Sequence, residues 1–232
     1  MGSPVTVQSL TAKMPVVTGK PAKAKLIAAL MASDERLIEK ALSALEPTYG
    51  SVELSSSVFP FTYSDYYKHE MGDTLLKVFC SFGKLIEPDE IVGLKLTSIE
   101  CEKNFLKEAA PETMSEGAIE RLPHNPGRGK GHISDTPEGA AAETRVGRTV
   151  NIDPGYLDRM KLVLATTKDS SHRVYLGQGI YADVELIYRS GSFVCLEWTY
   201  PDYREKFAIE FFNTVRDAYL AQLKAARAEA ET

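Results

Sequence analysis

Lys25-Leu26-Ile27-Ala28-Ala29-Leu30-Met31, running into Ser33-Asp34, is the stretch on which the fold turns. An apolar run this short, without polar alternation and bounded by a capping residue, is the pattern of a strand buried on both faces that enters a helix. Ser33 stands where an N-cap is expected. Beyond it Leu37, Ile38, Ala41, Leu42 and Leu45 recur at helical spacing while Glu35, Arg36, Glu39 and Lys40 face away, and Pro47 and Gly50 close the element. A buried strand followed by an amphipathic helix calls for more strands on either side of the first.

Those strands are found downstream. Val52 and Leu54, then Val58-Phe59, predict a second strand that Pro60 ends or moves to an edge. Leu75 to Phe82 predicts a third. Pro88-Asp89-Glu90 opens a helix, because Pro suits the first helical position and acidic side chains suit the positive end of the dipole. Ile91, Leu94, Cys101 and Phe105 form its apolar stripe. Leu162 to Ala165 reads as a strand, Lys168 to His172 as a turn, and Ile180 to Tyr188 as an alternating strand. Ser190-Gly191 turns that strand into Phe193 to Trp198. A last helix runs from Glu205 to about Lys224 with Phe211, Phe212, Val215, Ala218 and Tyr219 inward.

Between Glu108 and Gly147 there are four prolines, six glycines and no aromatic residue, so this stretch cannot bury enough surface to fold alone and is expected to be a flexible insertion, about 109–147. The order βαββαβ, then hairpins and a closing helix, predicts an α+β fold. Its sheet would be mixed and mostly antiparallel with helices packed on one face, ferredoxin-like or related. One domain is expected over 25–224, between tails at 1–24 and 225–232.

Composition narrows the partners. With 44% hydrophobic and 25% charged residues the chain of 232 has material for a core, and its net charge of -5 supplies no basic field for phosphate backbones or anionic lipid. Nucleic acid and membrane are therefore not expected partners. Cys80, Cys101 and Cys195 each lie in an apolar pattern, which fits reduced core thiols and a cytoplasmic location.

Several motifs look chemical and read otherwise in context. Gly177-Gln178-Gly179-Ile180-Tyr181-Ala182 spells the dinucleotide fingerprint, but a strand follows where a helix is required, so the glycines predict a hairpin turn. Gly127 to His132 is basic and glycine-rich, yet it has neither the spacing nor the Ser or Thr of a P-loop. The histidines at 69, 124, 132 and 172 show no zinc-ligand spacing, and no nucleophile elbow occurs.

What remains is a set of polar and aromatic segments at element ends: Tyr63 to Met71, Asn151 to Tyr156, Thr166 to Arg173, and Trp198 to Tyr203. Rings with polar tips beside mixed charges are the lining of a pocket for a polar ligand. If the Ser190-Gly191 turn is two residues long, Asp183 lies opposite Trp198 and Glu185 opposite Leu196, on the face of Tyr181. Two carboxylates so placed suit Mg²⁺ or an acid and base pair; equally they suit a solvated sheet face.

Phe61-Thr62-Tyr63 through Tyr66-Tyr67 to Glu70-Met71-Gly72, R-T-V-N-I-D-P-G-Y-L from Arg148, K-L-V-L-A-T-T-K-D-S-S-H-R-V-Y-L-G-Q-G-I-Y from Lys161 and W-T-Y-P-D-Y from Trp198 together resemble the prokaryotic family called domain of unknown function 4416. The resemblance covers most of residues 25 to 224 and implies no assigned activity. A GTP-binding description attached to some members does not transfer, because there is no P-loop and Asp135 to Gly139 puts its Gly one place too late for D-x-x-G. The stretch from about Ala109 to Val146 is longer than the family pattern.

The expected function is a site for a small anionic ligand, phosphorylated or nucleotide-like, with Mg²⁺ a candidate cofactor. Its binding residues would be Tyr66, Tyr67, Glu70, Asn151, Lys168, Asp169, Arg173, Tyr181 and Trp198. Within it Arg173 and Lys168 would pair with phosphate oxygens, His172 would serve as acid or base, and Asp153 or Glu185 would hold the metal. No reaction is assigned. The alternative is a non-enzymatic interaction module in which Trp198, Tyr200 and Tyr203 form a protein interface.

Overall fold

The computed structural model describes residues 19, 21–64, 66–106 and 147–230. Most of the expected tail at 1–24, the insertion with its basic glycine segment, His124 and His132, and the final two residues lie outside the described residues.

The deciding stretch becomes β1, Ala24–Ala32, buried at every position. Its even-numbered side chains Leu26, Ala28 and Leu30 enter one core and Ile27 and Ala29 the other, as period two demands of a strand covered on both faces. Helix α1, Glu35–Tyr49, follows, and Asp34 rather than Ser33 is its N-cap, accepting from the Leu37 amide at 3.0 Å. The chain turns one residue later than its composition implies because Asp34 already has the extended backbone that a cap requires. Pro47 is carried inside the last turn, and Gly50 ends the helix with a positive φ of 82°.

Strands β2 (Val52–Ser55) and β3 (Phe59–Pro60), the short helix α2 (Lys68–Met71) and β4 (Leu76–Ile86) come next. A 3₁₀ turn at Pro88–Glu90 leads into α3, Ile91–Lys103. After the insertion come β5 (Val150–Leu157), β6 (Lys161–Thr166), β7 (Arg173–Gly177), β8 (Ile180–Arg189) and β9 (Ser192–Cys195). A second 3₁₀ turn at Pro201–Arg204 precedes α4, Lys206–Ala230.

The strands form one sheet in the order β2-β4-β1-β5-β6-β8-β7, with β3 on β4 and β9 on β8, and all the assigned pairings are antiparallel. Its first four strands have the order of a βαββαβ unit. The protein is thus α+β with a mostly antiparallel sheet. Helices α1 and α3 pack on one face, where the Tyr49 hydroxyl donates to the Leu94 carbonyl at 2.8 Å and ties them together. Helix α4 instead covers the opposite face through Ala208, Phe212, Val215 and Tyr219, so the helices do not share the single face expected of them.

The G-x-G segment is a hairpin: β7 ends at Gly177, β8 begins at Ile180, and Gln178 and Gly179 have positive φ. Ser190 and Gly191 (φ 50° and 91°) make the second tight turn, with left-handed backbone at both central positions. Strand β9 stops at Cys195, short of the expected Trp198, because the chain turns as the Thr199 amide donates to the Leu196 carbonyl. Cys80 and Cys101 are buried, whereas Cys195 is exposed, since it sits on the outward side of a short outer strand. Among the described residues no helix is long and apolar enough to cross a membrane.

Candidate functional site

Strands β5 and β6 pair over only three rungs, Gly155↔Leu164, Tyr156↔Val163 and Leu157↔Leu162, and then diverge. The local sequence explains the parting. Pro154 has no N–H to give to a neighbour. Ile152, two residues back and turned to the same edge, has both backbone groups taken by α3: its amide donates to Glu102 Oε1 at 2.6 Å, and its carbonyl accepts from Lys95 Nζ at 2.9 Å. Two helical side chains thus stand in for the missing strand at Ile152.

A cleft of about 360 Å³ lies over this split. Its floor is the sheet. Lys77, Met31 and Asn151 are directly paired across β4, β1 and β5, while Leu164 and Asp183 are paired across β6 and β8. Paired residues of antiparallel strands point to one face, which gathers residues far apart in sequence. The walls are Phe61, Tyr63, Ser64, Tyr66 and Tyr67, with Arg148, Thr167-Lys168, and Tyr200 to Tyr203.

Charge in the cleft is paired with few exceptions. Lys77 Nζ meets Asp202 Oδ2 at 2.6 Å and lies over the rings of Phe61, Phe79 and Tyr203 at 5.1, 5.6 and 5.3 Å. Lys95 Nζ reaches Asp153 Oδ1 at 3.1 Å, and Asn151 donates to Asp153 Oδ2 at 2.7 Å. Burial opposes ionisation of Asp153, but Lys95, Lys77 and these hydrogen bonds outweigh it and hold the carboxyl below its usual range. Arg148 donates to Glu102 Oε2 at 2.8 Å and Glu70 Oε2 at 3.2 Å. Lys168 has no carboxylate partner among the described residues; its ammonium lies 3.9 Å from the centre of the Tyr66 ring.

Of the residues expected from sequence, Tyr66, Tyr67, Asn151, Asp153 and Lys168 line the cleft. Glu70 stands behind it, holding Arg148. Arg173 lies beneath Asp183, with Nε donating to Asp183 Oδ2 at 2.8 Å, Nη1 to the Lys168 carbonyl at 3.0 Å and Nη2 to the Tyr200 hydroxyl at 2.7 Å. It fastens the wall to the floor.

His172 is stacked on Trp198, with ring centres 5.2 Å apart. Its Nδ1 is 3.1 Å from Ser170 Oγ and its Nε2 is 3.6 Å from Asp183 Oδ2. The order Ser, His, Asp suggests a triad, but neither Ser170 nor His172 lines the cleft, and the second contact is too long for a hydrogen bond. The Trp198 indole donates to the Val184 carbonyl. Asp169 is exposed on the turn before β7, and Tyr181 packs on Tyr175; neither lines the cleft.

Asp183 and Glu185 are both buried, so they are not a solvated face. The pairing of β8 with β6 skips from Leu186 to Val184, which makes Glu185 the extra residue of a bulge. Its Oε2 accepts from the Tyr200 amide at 2.9 Å, and its Oε1 has no partner among the described residues. Burial, joined by Asp183 and Asp202 and opposed by the Tyr200 amide and Lys77, pushes its pKa up to about 8.

Sequence reasoning missed Lys77, Lys95 and Arg148 as cleft residues, reached Asp202 only within the Trp198 to Tyr203 segment, and weighed Asp183 as one of a carboxylate pair without assigning it to the ligand. A signal exists for Lys77, a lone cation inside the apolar strand Leu75 to Phe82 where an unpaired charge is costly. Comparison with curated proteins and with solved structures gives no significant match. A family profile described as a domain of unknown function matches residues 22–112 and 135–219. These spans take in the floor strands, α3 and both aromatic walls, and the chain belongs to the domain of unknown function 4416 family.

Proposed function

We propose that the cleft over the β5–β6 split binds a small anionic ligand, of a phosphorylated or nucleotide-like kind. The carrying observation is four cationic side chains, Lys77, Lys95, Arg148 and Lys168, around one hollow, with Lys168 lacking a carboxylate partner among the described residues. Tyrosines at 63, 66, 67, 200 and 203 supply apolar walls with polar tips, suited to a body attached to the anion. Among the described residues no three of His, Cys, Asp and Glu are grouped as for a metal, so Mg²⁺ would enter with the phosphate, held by one or two carboxylates.

Thermal unfolding with inorganic phosphate, sugar phosphates and nucleotides, each with and without Mg²⁺, tests this. A compound at 100 times its dissociation constant adds about 2.7 kcal/mol of stability, and Lys168→Ala weakens that effect for the same compound. An unmoved transition for every anionic compound overturns the proposal.

A second reading is favoured by β7, an outer strand whose Val174 and Tyr175 are 66% and 59% exposed. With Trp198 and Tyr200 exposed on the turn after β9, against His172 and Arg173 at the start of β7, a protein segment adding to this edge is the alternative. Tyr203 takes no part in it, being buried. Co-purification that Val174→Lys abolishes supports this reading; a monodisperse monomer without a partner counts against it.

A further inference from the structure

Asp183 is 1% exposed and lines the cleft, yet only one of its carboxylate oxygens is occupied. Oδ2 accepts from Arg173 at 2.8 Å; Oδ1 is buried and has no partner among the described residues. A carboxylate offers about four acceptor positions, and a buried one left unmatched is a rare and costly feature of a folded protein. Three cationic donors are already taken: Lys77 by Asp202, Lys95 by Asp153, and Arg173 by Asp183 Oδ2, the Lys168 carbonyl and the Tyr200 hydroxyl. Asp183 therefore brings a buried, unmatched acceptor to the floor of the cleft.

The rim presents a cation, and the two are held in fixed relation. Arg173 bonds Asp183 through Nε and the backbone carbonyl of Lys168 through Nη1, so one planar group sets the distance between the open carboxylate oxygen and the segment that carries the Lys168 ammonium. A ligand satisfying both ends has an anionic group and, some bonds away, a group that donates a hydrogen bond.

We propose that the cleft selects phosphorylated ligands that also carry a hydroxyl, amine or ring N–H, which donates to Asp183 Oδ1. This rests on the anion site proposed above and goes further by naming the second recognition element. The discrimination follows from chemistry: a site built to accept a hydrogen bond rejects the analogue that lacks the donor, because the buried oxygen is then left unmatched.

Calorimetric titration with ribitol 5-phosphate, pentyl phosphate and ribitol separates the two parts, since the phosphates share a five-carbon chain and differ in hydroxyls. Ribitol 5-phosphate is expected to bind at least ten-fold more tightly than pentyl phosphate. In Asp183→Leu, which keeps the bulk of the side chain and offers the ligand hydroxyl neither acceptor nor donor, the ratio falls towards one. The wild-type ratio alone decides if that variant fails to fold. Equal binding of the two phosphates means that water satisfies Oδ1, and overturns the donor requirement while the anion site stands. Binding of ribitol as tight as that of its phosphate overturns the anion site and leaves the acceptor. Binding of none of the three overturns both.

Discussion

Glu185 is buried behind the Tyr200 amide, and that burial favours its neutral form. It is 0% exposed, one oxygen accepts from the Tyr200 amide, and its proton stays on up to about pH 8, against a usual 4.5. The folded form keeps that proton through a range in which the unfolded chain releases it, so this group lowers stability as pH rises from about 4.5 to 8. Each unit of the shift corresponds to about 1.4 kcal/mol. Urea unfolding of wild type and Glu185→Gln between pH 5 and 8.5 checks this: the variant is expected to lose less stability than wild type over the rise. Parallel curves would mean that Glu185 is ionised in the fold. The same scale shows what the sequence makes visible. Tyr66, Tyr67, Asn151, Asp153 and Lys168 sit in polar, aromatic segments at element ends, where a pocket is looked for. Lys77 and Asp183 are single charges inside strands, and only the pairing of remote strands places them in the cleft.

At the scale of elements, β5 is the strand least evident in the sequence, because V-N-I-D-P-G-Y-L carries Asn, Asp, Pro and Gly, all disfavoured in strands and common in turns. Each is accommodated by something outside the segment. Asn151 and Asp153 bond each other over the cleft, Pro154 sits where pairing with β6 has ended, and Gly155 lets β6 approach closely. A Cβ at Gly155 would stand 2.3 Å from the Val163 carbonyl oxygen and 2.8 Å from Leu164 Cδ2, so the backbones must part to admit it. Gly155→Ala is expected to destabilise by about 1–3 kcal/mol, the usual range for an overfilled site. Gly93→Ala is the control: Gly93 lies on the exposed side of α3 with nothing within 4 Å of an added Cβ, so that change is neutral or stabilises by up to about 1 kcal/mol. Equal denaturation midpoints for the two variants would show that the close approach carries no weight. By contrast β1, α1 and the β7–β8 and β8–β9 hairpins are legible, since their patterns depend on neighbours in the chain.

For the whole molecule, the element order foretells a βαββαβ unit but takes β6 for its fourth strand; β5 fills that place in the sheet order β2-β4-β1-β5, and how the remaining strands join is left open. The apolar stripe of Phe212, Val215 and Tyr219 announces that α4 is buried without saying on which side of the sheet; that is set by where β9 delivers the chain. The answer matters because β6-β8-β7 shares three backbone rungs with the first unit, alongside the apolar core under α4 and the Lys77–Asp202 pair, and the cleft is lined from both parts: Lys77, Asn151 and Asp153 from one, Leu164, Thr166 and Asp183 from the other. Parting of those rungs separates the two sides of the cleft, so a ligand gripped by both must leave first. Ribitol 5-phosphate at 100 times its dissociation constant is therefore expected to slow amide exchange at Tyr156 and Val163, either side of the junction, by about 100-fold together. The Lys224 amide, near the exposed end of α4, exchanges by local fraying that leaves the cleft intact, and its rate should not change. Slowing confined to β5 or to β6 would place the ligand on one part alone, and the junction would then be an accident of topology with no part in binding.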